Sequence, residues 1–235
     1  MTPVADHDLS AFYQVVTPAN TPLLRSFFGC LACALNFLHE EKIRHRDIKP
    51  QNILVKGPCV YLTDFGISLD WESLSRSTTT KDTPKSLLYC APEVARFEKR
   101  STSADIWSLG CVFVEMLTVI KGRTIEEQRQ FFMQRTDTAR FYQNLSATQE
   151  WIKQLQQIDS SQRSDSFVAD CILRLLKEDP SERMLTVELY NKISTYQDLE
   201  KGGGNPVCGE CCVSDTLSVS DSGSDGDPFA GMAYP

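Results

Sequence analysis

The sequence predicts a mainly α-helical domain carrying one small β-hairpin. Three stretches carry that expectation. Phe27, Leu31, Leu35 and Leu38 recur at i, i+4, i+8 and i+11, one face of a helix over 23–39. The stretch from Ser103 to Met116 holds only two charged residues, Asp105 and Glu115, as a helix inside a core requires. Between them, Ile53-Leu54-Val55 and Val60-Tyr61-Leu62-Thr63 flank Gly57-Pro58, two short strands about a turn.

Taken in order, the chain opens with an extended and then polar segment, Met1 to Leu9, that leads into a short helix over 9–15. The helix over 23–39 ends at His39, a residue that reads as structural. After the hairpin, Ser73 to Thr80 is a polar run with loop character. Asp105 stands near the start of the apolar helix, where a carboxylate suits both capping and the helix dipole. Thr124-Ile125-Glu126-Glu127 has the spacing of a capping box and starts a further helix. Phe131, Phe132, Phe141, Tyr142 and Trp151 then punctuate a polar region and are expected in the core. Val168, Ile172, Leu175 and Leu176 form another buried helical face, stopped by Asp179-Pro180, and a last helix runs from Thr186 towards Tyr196.

At 235 residues, 41% hydrophobic and 23% charged, the composition is that of an ordinary globular chain with one sizeable core. The net charge of −7 argues against nonspecific nucleic-acid binding and against a basic membrane anchor. The most apolar run, Phe27 to Leu35, falls short of the roughly 20 residues of a spanning helix. Of the nine cysteines, Cys30, Cys33, Cys59, Cys90, Cys111 and Cys171 sit in apolar patterns and read as buried thiols of a reducing compartment, cytoplasmic or nuclear.

The chemistry concentrates in His45-Arg46-Asp47-Ile48-Lys49-Pro50-Gln51-Asn52 and, beyond the hairpin, Asp64-Phe65-Gly66. The hairpin lets Asp47, Asn52 and Asp64 converge. Hard oxygen ligands of this kind suit Mg²⁺, and a further carboxylate beside them can take a hydroxyl proton.

These two motifs in this order resemble the catalytic loop and metal-binding turn of eukaryotic protein kinases of the serine/threonine type. The resemblance covers residues 1–198 and implies the hinge and large C-terminal lobe of that fold. It implies ATP and Mg²⁺ as cofactors, Asp47 as catalytic base and Lys49 against the transferred phosphate. Asn52 and Asp64 would hold metal and nucleotide. Val4 would meet the adenine and Asp8 the ribose, although alone this segment reads as a frayed terminus. Arg46 would pair with a phosphorylated activation-segment residue, with Ser77, Thr78, Thr79, Thr80 and Thr83 as candidates. That segment would close at Ala91-Pro92-Glu93, with Ser86 where the family has a threonine. Asp105 would bond the catalytic-loop backbone, and Arg183 would form a buried ion pair with Glu93.

No Gly-x-Gly-x-x-Gly or Val-Ala-x-Lys strand precedes the catalytic loop, so the small N-terminal lobe is expected to be missing. Two functions follow from the resemblance. One is phosphoryl transfer from ATP to a protein hydroxyl, with a protein substrate and an activating kinase or separate small lobe as partners. The other is a kinase-like binding or scaffold module without catalysis. Residues 199–235 read as a disordered Gly/Ser/Asp/Cys tail, in which Cys208, Cys211 and Cys212 make a poor zinc site.

Overall fold

The structure, a computed structural model, describes residues 4–64, 69–70, 86–158, 163–198 and 204–209. Activation-segment positions 77–83 and the cysteines at 211 and 212 lie outside the described residues. Among the described residues eight α-helices follow in chain order: α1 (Leu9–Val15), α2 (Thr21–Glu40), α3 (Pro92–Ala95), α4 (Thr102–Ile120), α5 (Ile125–Thr136), α6 (Leu145–Gln157), α7 (Arg163–Leu175) and α8 (Thr186–Ser194). Five short strands accompany them among the described residues: β1 (His7–Asp8), β2 (Ile43–Arg44), β3 (Ile53–Lys56), β4 (Cys59–Leu62) and β5 (Leu69–Asp70).

α4 is the centre of the core. Ile106, Trp107, Leu109, Val112, Phe113, Met116 and Leu117 are all but inaccessible to solvent, so the helix is wrapped on every side. α2 packs on it through Phe28, whose ring meets Phe113 edge to face at 4.9 Å. The buried face of α2 is wider than the spacing of Phe27, Leu31, Leu35 and Leu38 implies, because Leu24 and Phe28 are buried with them. On its other side α4 receives α7, and Gly110 permits the close approach. A Cβ there would lie 2.9 Å from Leu176 Cδ2 and 3.0 Å from Leu175 Cβ. Asp165 of α7 joins Arg25 of α2 at 2.7 Å and Lys121 at the end of α4 at 2.9 Å, a buried triad stapling three helices.

Both long helices correct the expectation drawn from apolar run length. α2 and α4 are long and apolar enough to cross a bilayer by length and composition, although polar residues interrupt their runs. In this fold 61% and 72% of their most apolar windows are buried inside the lobe.

The expected hairpin forms with Ile53 opposite Leu62 and Val55 opposite Val60, turning at Gly57 with φ 53°. It gains a third strand, since β1 pairs antiparallel with β3 at His7–Val55. Asp6 secures this edge: its carboxylate accepts from Gly57 N–H at 2.9 Å and Lys56 Nζ at 3.1 Å. A second, two-stranded sheet pairs β2 with β5. Strands of two residues leave no period to read in sequence.

Ser101 rather than Asp105 caps α4, accepting from Ser103 N–H at 3.2 Å, and Asp105 is left for another task. The capping box at α5 is complete: Thr124 Oγ1 accepts from Glu127 N–H, and the Glu127 carboxylate accepts from Thr124 N–H at 2.7 Å. Phe132, Phe141 and Trp151 are buried, whereas Phe131 and Tyr142 are half-buried at the edge of the core. Among the cysteines expected inside, Cys30, Cys111 and Cys171 are buried, but Cys33, Cys59 and Cys90 are only partly covered. The tail also departs from expectation. Residues 204–209 are placed against the helices, with Val207 wholly buried, so the packed body extends past 198.

Candidate active site

α2 delivers the chain to the site. Beyond Glu40, Lys42 turns it with φ 57°, and β2 leads into His45. Asp105 then holds the loop: Oδ2 accepts from His45 N–H at 2.9 Å and Oδ1 from Arg46 N–H at 2.7 Å. Arg46 adopts φ 71°, a left-handed conformation that costs a side-chain-bearing residue energy. Two charge-assisted hydrogen bonds to one carboxylate offset that cost. His39 reinforces the carboxylate from behind. Its Nε2 lies 3.3 Å from Asp105 Oδ2 and its Nδ1 3.3 Å from Thr186 Oγ1, so a chain of contacts runs from α8 through α2 to α4.

His45 is fully buried beneath the loop. Nε2 faces the Thr63 carbonyl at 2.9 Å, which can only accept, so Nε2 carries the proton. Nδ1 faces Asp47 N–H at 3.4 Å and is therefore the bare nitrogen. Burial holds the imidazole below its usual pKa, against opposing pulls from Asp105, Asp47 and Asp64. Those pulls place both Asp47 and Asp64 within electrostatic reach of one ring.

Around this support the sequence-expected residues gather. Asn52 closes a one-turn 3₁₀ helix (Pro50–Asn52), and its Nδ2 donates to Asp47 O and Asp47 Oδ2, each at 2.9 Å. Lys49 Nζ also meets Asp47 Oδ2, at 2.5 Å. Asp64 is reached through Thr63, whose N–H and hydroxyl both donate to Asn52 O, at 2.9 and 3.1 Å. It has φ 66° and an exposed side chain. Asp47, Lys49 and Asn52 are thus in direct contact, and Asp64 follows directly on Thr63, which is bonded to Asn52.

The donor set fits Mg²⁺. With Nδ2 of Asn52 committed to Asp47, its Oδ1 is the end that remains for a cation, and Asp64 supplies a hard anionic oxygen. Among the described residues no group of three or more His, Cys, Asp or Glu forms a ready-made metal cage. Two protein ligands completed by phosphate oxygens and water is the usual Mg²⁺ arrangement.

The remaining candidates are placed as follows. Val4 is 73% exposed. The Asp8 carboxylate caps α1, accepting from Ala11 N–H at 2.8 Å. The Arg46 guanidinium shares a cavity of about 80 Å³ with Arg44 and Arg100. Burial, then Arg100 and Arg44, draw its pKa below the usual arginine value. Glu93 and Arg183 meet in the core through two hydrogen bonds of 2.7 Å. His39 and Glu115 are the residues for which sequence reasoning assigned no contact. Glu115 accepts a hydrogen bond from the Tyr89 hydroxyl at 3.0 Å, beneath the segment that ends in Ala91-Pro92-Glu93. A lone acid inside an apolar helix was the available signal.

The protein kinase domain profile matches residues 1–193, and the chain belongs to the protein kinase family. It is similar to the mitogen-activated protein kinase kinase kinase MST11 of Pyricularia oryzae, 45% identical over 105 residues, 41% of this chain and 11% of that protein. It is also similar to cyclin-dependent kinase 2 of Caenorhabditis elegans, 39% identical over 117 residues, 47% of this chain and 31% of that protein. The serine/threonine-protein kinase ATG1 of Debaryomyces hansenii is 30% identical over 207 residues, 80% of this chain and 22% of that protein. The chain thus spans less than a third of the length of these relatives.

Proposed function

We propose that this chain supplies the catalytic large lobe of a serine/threonine protein kinase, transferring the γ-phosphate of ATP to a protein hydroxyl. The observation that carries the reading is the contact of Lys49 and Asn52 with the single carboxylate of Asp47. Asp47 orients the acceptor hydroxyl and takes its proton as the oxygen bonds to phosphorus and the bond to ADP breaks. Lys49, already beside that carboxylate, offsets charge on the transferred group. Asn52 Oδ1 and Asp64 would hold Mg²⁺, which would supply positive charge to offset that of the phosphates. Asp105, His45 and His39 keep the loop in its strained shape. Serine or threonine as acceptor is supported by Lys49 and by the names of the relatives.

A second reading, a binding module without catalysis, is favoured by the exposure of Val4, which leaves the expected adenine side open to solvent. Transfer of labelled phosphate from Mg²⁺-ATP to a generic protein acceptor tests between them. Asp47→Asn is the control. Transfer that falls by at least roughly a hundredfold in that variant supports the kinase reading, since general base catalysis contributes 10²–10⁴-fold. A Mg²⁺-dependent nucleotide thermal shift with no transfer favours the module.

A further inference from the structure

α2 carries a glycine in its buried middle, where alanine would make a better helix. The backbone of residues 207 and 208 explains it. Gly29 N–H donates to the Val207 carbonyl at 2.8 Å. A Cβ on Gly29 would fall 2.6 Å from Cys208 Sγ and 2.7 Å from Val207 O. The thiol could swing aside, but the carbonyl is backbone and already committed. Next to it, Val207 is wholly buried and belongs to the main hydrophobic core.

The flanking residues are held as specifically. Asn205 Nδ2 donates to Ile193 O at 2.7 Å and Ser194 O at 3.3 Å, carbonyls at the end of α8, where Ile193 O also accepts from Tyr196 N–H at 3.2 Å. Its Oδ1 accepts from Val207 N–H at 3.1 Å. Cys208 Sγ lies 3.8 Å from Ile193 O. Upstream, Asp198 and Gly204 form an antiparallel bridge, with Asp198 N–H donating to Gly204 O at 3.0 Å. Phe167 stacks on Tyr196 at 4.3 Å and anchors the exit from α8. Each of these contacts has at least one partner beyond residue 193, where the family match ends.

We propose that the face between α2 and α8 is a peptide-docking groove built at Gly29, whose occupant is this chain's own Asn205-Pro206-Val207-Cys208, and which takes the same peptide in trans once that segment is released. Three features define the recognition. A helix N–H exposed by the missing side chain takes a carbonyl. An apolar pocket takes a branched aliphatic side chain. The carbonyls at the end of α8 take a carboxamide. The tethered segment acts at high effective concentration and keeps the groove filled. The proposal is independent of phosphoryl transfer and stands whether or not the lobe is catalytic.

The test uses the full chain. Hydrogen exchange at residues 205–209 is compared among wild type, Gly29→Ala, Val207→Asp and Asn205→Ala. Wild type is expected to be protected there, and each variant to exchange roughly ten- to a hundredfold faster, as loss of a buried side chain or its seat implies. Asn205→Ala adds no bulk and no charge, so it keeps the comparison open if Gly29→Ala does not fold. A fluorescein-labelled peptide spanning residues 203–209 should bind the Val207→Asp chain, and should fail on wild type and on the Val207→Asp/Gly29→Ala chain. Wild-type exchange at the rate of an unstructured peptide, or unchanged by Gly29→Ala, overturns the proposal. So does a Val207→Asp chain that binds no peptide.

Discussion

Arg183 and Glu93, 90 positions apart in the chain, meet inside the core with both partners essentially inaccessible to water. The pair is complete in a way its two 2.7 Å bonds alone do not convey. A guanidinium has five N–H donors. Nη1 serves Glu93 and Ser103 O, Nη2 serves Glu93 and Glu178 O, and Nε serves Lys177 O. The plane also lies 5.0 Å from the centre of the Trp107 ring. One arginine thus ties α3, the start of α4 and the turn after α7 together.

Glu93→Gln should therefore cost about 3–5 kcal/mol, because the guanidinium stays buried with its counter-charge gone. Urea unfolding of the full chain at neutral pH measures it. The double variant Glu93→Leu/Arg183→Met should not recover wild-type stability, since the carbonyls of Ser103, Lys177 and Glu178 lose their donor as well. A single substitution costing under about 1 kcal/mol would show that water reaches the pair.

Asp105→Asn tests the support of the catalytic loop. Two backbone N–H groups now share one carboxylate, and an amide can offer only one oxygen in the same place. One N–H is left facing an NH₂ group, a loss of about 1–3 kcal/mol. The expected local sign is faster exchange of the His45 or Arg46 amide. If phosphate transfer is present in wild type, it should fall in parallel, because the left-handed Arg46 loses its restraint. Unchanged exchange at both amides would remove the supporting role assigned to Asp105.

Much of this arrangement was readable in the residues, and the parts that were not share a cause. The α2 face, the α4 core helix, the hairpin and the α5 capping box each announce themselves within a dozen residues, through period or fixed spacing. The Asp47–Asn52 contact also spans only five positions. His39 gave no such signal, because its partners Asp105 and Thr186 are 66 and 147 positions away. Gly29 gave no such signal either, because the residues that require a glycine there, Val207 and Cys208, lie almost 180 positions on. The 204–209 segment looked like tail because its glycine-rich surroundings dominate the local composition. Its anchoring comes from a single buried valine and one asparagine. Contacts carried by one or two residues over long separations leave no pattern for a window to detect.

Gly110→Ala probes the α4–α7 seam in the same spirit. A methyl group there would press on the Leu175 and Leu176 side chains at 3.0 Å or less. Overpacking of this kind costs about 1–3 kcal/mol, and the helix gains a few tenths to 1 kcal/mol from losing its glycine. Net destabilisation is expected, seen as a lower urea midpoint with an unchanged slope. A variant more stable than wild type would mean that the leucines move aside at no cost.

Glu115 sets a pH dependence that comparison with a non-ionising variant isolates from that of the other titrating groups. It is buried in α4, and burial pushes its pKa from the ordinary 4.5 up to about 7, despite Arg129 at 3.7 Å and the hydrogen bond from Tyr89. Tyr89 is raised too, by burial first and then by Glu115. The folded chain keeps the Glu115 proton to higher pH than the unfolded chain does. Its contribution to stability is therefore fully present below about pH 4.5 and is lost as pH rises through about 7. The gap between the two pKa values corresponds to about 3 kcal/mol across that window. Glu115→Gln preserves the acceptor for Tyr89 and cannot ionise. Between pH 5 and pH 8 wild type should lose about 2–3 kcal/mol more stability than this variant, and above pH 7 the variant should be the more stable of the two. Urea unfolding at pH 5, 6, 7 and 8 gives both curves. Parallel curves would mean that the carboxylate ionises inside the lobe as readily as outside it, with Arg129 offsetting the whole cost of burial.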